Sequence, residues 1–440
     1  MKKVLVANRG AIARRLIRAL NELGLESLVL YSDADSGAPY LDEASSAIHL
    51  EGNLPAETYL NTAAILDLAS KYKVDAVHPG YGFLSESADF SRQVLDQGII
   101  FIGPTPELIE RMGEKVNGRK EMEERGFPVF PGSQALKPDL DLDQLISAIG
   151  FPLVVKPSGG GGGIGMQIVQ SQEELAVAID RASSIAKSAF GDSTLYLEKW
   201  IEKPRHIEFQ VIGDGQGGCV HVFDRECSVQ RRHQKLIEES PTPGIDESSL
   251  LVHAQQAADV CGKLKYGSLG TIETLFVSED RFGFLEMNTR IQVEHGVTEE
   301  VTGLDLVKQQ LNLFMGKKLP RQEEITRSGF AMEARLYAED PETMYPSTGV
   351  LHTFSPPNMH GVRVETGYQE GQEVTPFYDP LLAKVIARGD TREQAIGRLS
   401  VALRAFDVAG IKTNEALLQK VLVNEEFLAG NIDTGLLNRL

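Results

Sequence analysis

The chain has 440 residues, and 44 Lys and Arg against 62 Asp and Glu leave a net charge of −18. A hydrophobic share of 42% with 24% charged residues excludes a disordered chain, and no apolar run approaches the ~18 residues that cross a bilayer. The acidic balance also argues against nucleic-acid binding, which needs a basic face, while small anions can still be met by local cations such as Arg231-Arg232-His233-Gln234-Lys235.

At roughly 150 residues per domain, this length suggests about three domains, or two with one large. The three cysteines, Cys219, Cys227 and Cys261, form no CxxC pair. A reducing compartment, the cytoplasm, is therefore expected rather than a disulfide framework or a zinc cluster. The apolar stretch Val4 to Ala7 is too short for a signal-peptide core, so the chain is expected to stay where it is made.

Residues 1–113 alternate strand and helix signals. Val4-Leu5-Val6 reads as a buried strand, and Ala13, Leu16, Ile17 and Leu20 then follow helical spacing. Strand signals recur at Ser27 to Leu30, Asp75 to Val77 and Ile99 to Ile102. The expected fold class is α/β, with a doubly wound parallel sheet that places ligands at the carboxyl ends of its strands. Residues 114–129 read as a helical linker, and 130–203 as a compact unit holding a glycine run. From Pro204 the alternation of His206, Glu208 and Gln210 with Ile207, Phe209 and Val211 predicts a half-buried strand. Further strands follow to 288, and residues 204–440 are taken as the last unit.

The run Gly159 to Gly163, Ile164, Gly165 contains GxGxxG by default. A dinucleotide loop should open a helix, but Met166-Gln-Ile-Val-Gln170 reads as a strand, so a strand–glycine–strand flap that folds over phosphates fits better. Lys156 just before it would add a point charge for phosphate. A P-loop is excluded, because Arg119 stands where that motif needs its lysine.

In Glu286-Met-Asn-Thr-Arg-Ile-Gln-Val-Glu294 the polar residues Glu286, Asn288, Arg290, Gln292 and Glu294 share one parity. A hairpin through Ser278 to Arg281 would bring Glu273 near Glu286 and Asn288. Two carboxylates and an amide oxygen suit Mg²⁺ or Mn²⁺. An exposed, salt-bridged strand face is the bland alternative.

The motifs ANRG (7–10), HPGYGFLSE (78–86), KPSGGGGGIGM (156–166), ECSVQRRHQK (226–235) and EMNTRIQVEH (286–295), with Tyr378-Asp379, occur in order over nearly the whole chain. In these the chain resembles the biotin carboxylase component of biotin-dependent carboxylases, an ATP-grasp family. The resemblance implies an N-terminal subdomain, a mobile lid, and a C-terminal ATP-grasp part with a mainly antiparallel sheet. It implies a ligase that carboxylates biotin on a carrier protein, with ATP, bicarbonate and Mg²⁺ or Mn²⁺ (two ions), through carboxyphosphate.

By that resemblance Lys115 and Lys156, with Gly161, Gly162, Gly163, Gly165 and Met166 of the lid, would hold ATP phosphates. Glu198 and Leu275 would lie at the adenine, with His206, Gln230 and His233 at the nucleotide. Glu273, Glu286 and Asn288 would bind metal. Lys235, Arg290, Gln292 and Val293 would hold bicarbonate, Glu294 would be its base, and Arg335 would face biotin, with Tyr81 and Glu86 candidates for the pocket floor. Arg335 has the alternative of a plain surface strand cation, and Cys227 reads as a packed small hydrophobe. The implied partners are a biotin carboxyl carrier protein or domain, a carboxyltransferase component and a second copy of the chain. No biotinylation motif is present in the sequence, so biotin is expected on another chain or segment.

Three positions depart from the family pattern. Ile164 replaces a lid cation, Ala11 a glutamate after ANRG, and Gly296 a proline after the EH pair. Two further functions stay open at this point: an ATP-grasp ligase with a urea- or guanidine-type acceptor, and a non-catalytic subunit.

Overall fold

The computed structural model describes residues 1–137, 140–160 and 162–440. Five strands open the chain: β1 (Lys3–Val6), β2 (Glu26–Tyr31), β3 (Ser46–His49), β4 (Ala76–His78) and β5 (Ile100–Phe101). They form one parallel sheet in the order β3-β2-β1-β4-β5. The expected doubly wound sheet is present. Helix α1 (Gly10–Glu22) buries Ala13, Leu16, Ile17 and Leu20 against it, as their spacing requires. Burying each of the larger ones stabilises the fold by about 1.5–3 kcal/mol. The pattern did not show that Arg15 lies on the same buried side, where it meets Glu299 at 2.9 Å and Asp305 at 2.5 Å.

The strand order reverses between β1 and β4, so the loops that follow both strands meet at one edge. Asn8 ties them together, donating to Pro79 O at 2.7 Å and Tyr81 O at 2.8 Å. Gly80 is needed here: its φ is +66°, and a Cβ would sit 2.9 Å from Asn8 Nδ2. His78, buried beside it, accepts a hydrogen bond from Gly80 N–H at 3.1 Å. Burial lowers its pKa to about 3, so it stays a neutral residue that fixes the loop.

Helix α2 (Lys115–Glu124) leads to a small antiparallel sheet of β6 (Leu153–Pro157), β7 (Gln167–Val169) and β8 (Leu195–Lys199), ordered β7-β6-β8. Helix α3 (Gln172–Phe190) covers it with Leu175, Ala178, Ala182 and Ala186, making a separate apolar core. The glycine run joins β6 to β7, so the expected strand–glycine–strand hairpin exists.

The remaining strands relevant to the site are β9 (Arg205–Gly213), β10 (Cys219–Arg231), β11 (Gln234–Ser240), β12 (Leu269–Ser278), β13 (Arg281–Asn288), β14 (Phe330–Tyr337), β15 (Val362–Thr366) and β16 (Leu381–Gly389). They form one antiparallel sheet in the order β13-β12-β9-β10-β11-β14-β16-β15. Helix α4 (Glu247–Lys263) packs Leu250, Ala254, Ala257 and Cys261 into the core under β9 and β10. Helix α5 (His295–Thr302) contacts β14, β11, β10 and β16.

Two expectations need correction. β9 is buried on both faces, not half-buried, because Glu208 and Gln210 find Arg225, Lys235 and Gly270 O as buried partners instead of water. The polar stretch 286–294 does not stay extended either: β13 ends at Asn288, and Glu294 caps α5.

Candidate functional site

A cleft of about 580 Å³ opens where the glycine hairpin faces the large antiparallel sheet. Its wall includes Lys115, Lys156, Gly162, Gly163, Met166, His206, Gln230, His233, Lys235 and Leu275. Glu273, Glu286, Asn288, Arg290, Gln292, Val293, Glu294 and Arg335 complete it. Residues more than 200 positions apart thus share one space, because β9 to β14 run side by side and the hairpin arches over them.

The β12–β13 pairing sets the carboxylates. Glu273 stands opposite Glu286 and Thr271 opposite Asn288. Adjacent like charges would repel, but each acid has its own cation. Lys115 Nζ lies 3.0 Å from Glu286 Oε2, and its ammonium also donates to Gly160 O, linking α2 to the glycine hairpin. Glu273 accepts from Lys235 at 2.9 Å, Asn288 at 2.8 Å and Gln292 at 2.7 Å, with His206 Nε2 2.9 Å from its other oxygen. Burial alone would raise the Glu273 pKa, yet Lys235 and His206 hold it well below the carboxylate range. Burial alone would lower that of His206, yet Glu273 carries it above the usual imidazole value.

Lys235 is the hub of the site. It donates to Glu208 at 2.7 Å, Glu273 at 2.9 Å and Glu294 at 2.6 Å from a side chain only 11% exposed. Burial opposes its charge, but the three carboxylates keep it firmly protonated. Glu294 also receives Arg335 at 3.1 Å. Burial pushes its carboxyl up, and Lys235, Arg335 and Arg225 together bring it far below the usual value. The result is an ionised carboxylate fixed at two points. Next to it Arg290 donates to Asn288 Oδ1 at 2.7 Å and Glu86 Oε2 at 3.0 Å, leaving a guanidinium face in the cleft. Such a set of cations around one fixed acid can hold a small carboxylate-like anion and take its proton.

Arg335 is 8% exposed and doubly ion-paired, so the surface-cation alternative fails. The exposed-face alternative for Glu273, Asn288 and Glu294 fails too, since all three are buried. Cys227 is fully buried and its thiol is pushed up by burial, which fits a packed small hydrophobe.

Four assigned residues are not on the cleft wall: Glu86, which reaches it only through its pair with Arg290 at 3.0 Å, and Glu198, Gly165 and Tyr81. Glu198 is turned behind it, paired with Lys156 and 3.5 Å from Arg119; Lys199, Trp200 and Ile201 line the space instead, because β8 ends there. Gly165 packs behind the hairpin, where a Cβ would meet Pro157 at 3.0 Å and Ile185 at 3.4 Å. Tyr81 packs against the N-terminal sheet core. Gly161 lies outside the described residues. By contrast, Gly163 is needed at close quarters: φ is +72°, and a Cβ would come 2.3 Å from His233 Cδ2.

The sequence reading left Glu208, Arg225 and Glu238 without roles. Arg225 is fully buried and donates to Glu208 at 2.5 Å, Gln210 at 2.7 Å, Thr298 at 3.0 Å and also to Gln292. Its only signal was a lone cation between Asp224 and Glu226. Of the departures, Ile164 lines the cleft and is 50% exposed. Placing a guanidinium there should restore one charge-assisted contact to a phosphate, about 1–3 kcal/mol. Ile164→Arg is therefore expected to lower the apparent KM for ATP several-fold; an unchanged KM means this position clamps nothing.

The comparisons agree along the whole chain. The family model "Biotin carboxylase, N-terminal domain" matches residues 1–109, and "Biotin carboxylase C-terminal domain" matches 333–439. Between them "Carbamoyl-phosphate synthase L chain, ATP binding domain" matches 114–322. Biotin carboxylase 2 of Bacillus subtilis is 46% identical over 439 residues, 99% of each chain. Biotin carboxylase of Campylobacter jejuni, solved as a β,γ-ATP complex, superposes with a TM-score of 0.97 at 40% identity, covering 100% of this chain and 99% of that one. The biotin carboxylase domain dimer of Hydrogenobacter thermophilus 2-oxoglutarate carboxylase, solved with MgADP, ADP and bicarbonate, gives 0.95 at 40% identity, covering 100% and 97%. Sequence, sheet order and cleft together place this chain in the biotin carboxylase family of ATP-grasp enzymes.

Proposed function

We propose that this cleft carries out ATP- and bicarbonate-dependent carboxylation of biotin, with the site residues dividing the work as follows. Lys115, Lys156 and the glycine hairpin, with segment 130–203 as the lid, neutralise and enclose the phosphates. His206, Gln230, His233 and Leu275 line the nucleotide end, and Glu198 acts indirectly by fixing Lys156. Arg290, Gln292 and Val293 seat bicarbonate beside Lys235.

Bicarbonate oxygen attacks the γ-phosphorus, the bond to ADP breaks, and Glu294 takes the bicarbonate proton. Carboxyphosphate then separates into CO₂ and phosphate. The phosphate removes the ureido N–H proton of biotin, and the nitrogen bonds to CO₂ while Arg335 stabilises the enolate-like oxygen. A closed lid excludes the water that would destroy carboxyphosphate.

The donor set fits a divalent ion: Glu273 and Glu286 face each other across a hairpin, Asn288 adds an amide oxygen, and both acids already attract cations. Mg²⁺ or Mn²⁺, when bound, supplies charge neutralisation for the phosphates. The partner set that fits is a biotin carrier protein, a carboxyltransferase component and a second copy of the chain. Stand-alone relatives such as the Bacillus subtilis protein support a separate carrier, and the dimer of the Hydrogenobacter domain supports a second copy of the chain. Among the described residues no helix is long and apolar enough to cross a membrane.

The observation that carries this reading is Glu294, held ionised between Lys235 at 2.6 Å and Arg335 at 3.1 Å. The test is bicarbonate-dependent ATP hydrolysis stimulated by free biotin. Stimulation by urea or guanidine in place of biotin would overturn the acceptor.

A further inference from the structure

Behind Arg335 lies an acid pair with no part in the reaction as described above. Glu238 on β11 stands directly opposite Glu333 on β14. Both side chains are completely buried. Arg335 shares the parity of Glu333, so the sheet pleat sends all three toward one face. Glu238 Oε1 accepts from Arg335 Nε at 2.6 Å and lies 2.6 Å from a terminal nitrogen of the same guanidinium, a shorter contact than the 3.1 Å from Arg335 to Glu294. The guanidinium is therefore held from behind more firmly than from the cleft side.

Glu333 is the odd member. Neither of its oxygens has a hydrogen-bond partner, and Lys384 approaches only to 3.9 Å because it is taken by Glu365 at 2.6 Å and Val293 O at 2.6 Å. Gly296 of α5, where the family pattern has proline, lies against this carboxyl: a Cβ there would be 3.3 Å from Glu333 Oε2 and 2.4 Å from Ile386 Cδ1. Two facing carboxyls in a dry core, with the nearby guanidinium engaged by Glu238 and Glu294, cannot both ionise at low cost.

We propose that Glu238 is a positioning residue for the biotin half of the reaction, clamping Arg335 from behind, and that Glu333 across the strand pair stays neutral so that Glu238 is the one negative charge of the clamp. This rests on the reading of Arg335 as the biotin-facing cation. Burial raises the Glu238 pKa, Arg335 draws it back, Glu294 raises it again, and the outcome is about 7. Burial pushes Glu333 well above the carboxylate range despite Lys384, with Glu238 adding to the rise. The charged groups facing the pair are Arg335 on β14, Glu294 at the start of α5, Lys235 on β11, Lys384 on β16 and Glu365 on β15.

Ionised Glu238 holds the clamp, so biotin use should weaken as pH falls through about 7. Glu333 is neutral through that range, so it adds no charge to the clamp and its loss should leave the titration of Glu238 in place.

The test uses the full chain with free biotin. E238Q should raise KM for biotin about tenfold or more, the cost of one charge-assisted hydrogen bond, with a much smaller loss in biotin-independent ATP cleavage. E238D should recover most of the loss. E333Q, which replaces a carboxyl that is already neutral, should leave the acid limb of the biotin kcat/KM profile in place. In the R335M background E238Q should add nothing, as expected when one residue acts through the other. Equal losses in both activities, additive effects with R335M, or an acid limb shifted to lower pH in E333Q would overturn the proposal. Failure of biotin to stimulate the wild-type chain would instead overturn the reading of function beneath it.

Discussion

Glu294→Gln is expected to lower bicarbonate-dependent ATP hydrolysis by about 10²–10⁴-fold, the usual contribution of a positioned general base. The amide is nearly isosteric and can still meet Lys235 at the 2.6 Å position, so the cleft should keep its shape. What disappears is a proton acceptor that three cations keep ionised. KM for ATP should stay close to the wild-type value, because in the proposed reading Glu294 serves bicarbonate and makes no contact with the lid. Steady-state kinetics with varied bicarbonate, and nucleotide binding by calorimetry, check both halves. A variant that retains wild-type turnover would remove Glu294 from the proton transfer.

Lys235→Met is expected to cost stability as well as activity. Its ammonium is the shared partner of Glu208, Glu273 and Glu294, all nearly excluded from water. Breaking a buried ion pair by removing one side typically costs about 3–5 kcal/mol. The sign with pH follows from Glu273 and Glu294, whose folded pKa values are depressed. Their contribution is complete above the ordinary carboxylate value and fades as pH falls through it. The gap in thermal midpoint between wild type and variant should thus be widest near neutral pH and narrow in acid. Lys235→Arg, which retains the charge, should recover much of the midpoint but little turnover, since a guanidinium fork does not fit three converging acids.

Much of the site was legible because strand parity is a local rule. That a hairpin brings Glu273 near Glu286 and Asn288, and that the glycine run joins two strands, was readable from spacing and turn chemistry; the register itself, with its two shifts, was not. The helical face of α1 was readable for the same reason. Local rules failed where backbone direction changed. The chain leaves β13 at Asn288, yet Arg290, Gln292 and Glu294 still reach the cleft, placed by a turn and by the cap of α5 rather than by pleating. Glu198 followed the family motif by position, but the end of β8 turns it behind the wall and into Lys156.

The sequence by itself determined the strand and helix periods, the glycine hairpin, the metal-suited trio and, through its motifs, the family. Tertiary structure alone decided the charge states: that Lys235 serves three acids, that Arg225 is wholly enclosed, and that Glu238 and Glu333 face each other beneath Arg335. The physical reason is range. Hydrophobic period is set by neighbours a few residues apart, whereas ionisation depends on burial and on charges that only the assembled sheet brings within hydrogen-bond distance.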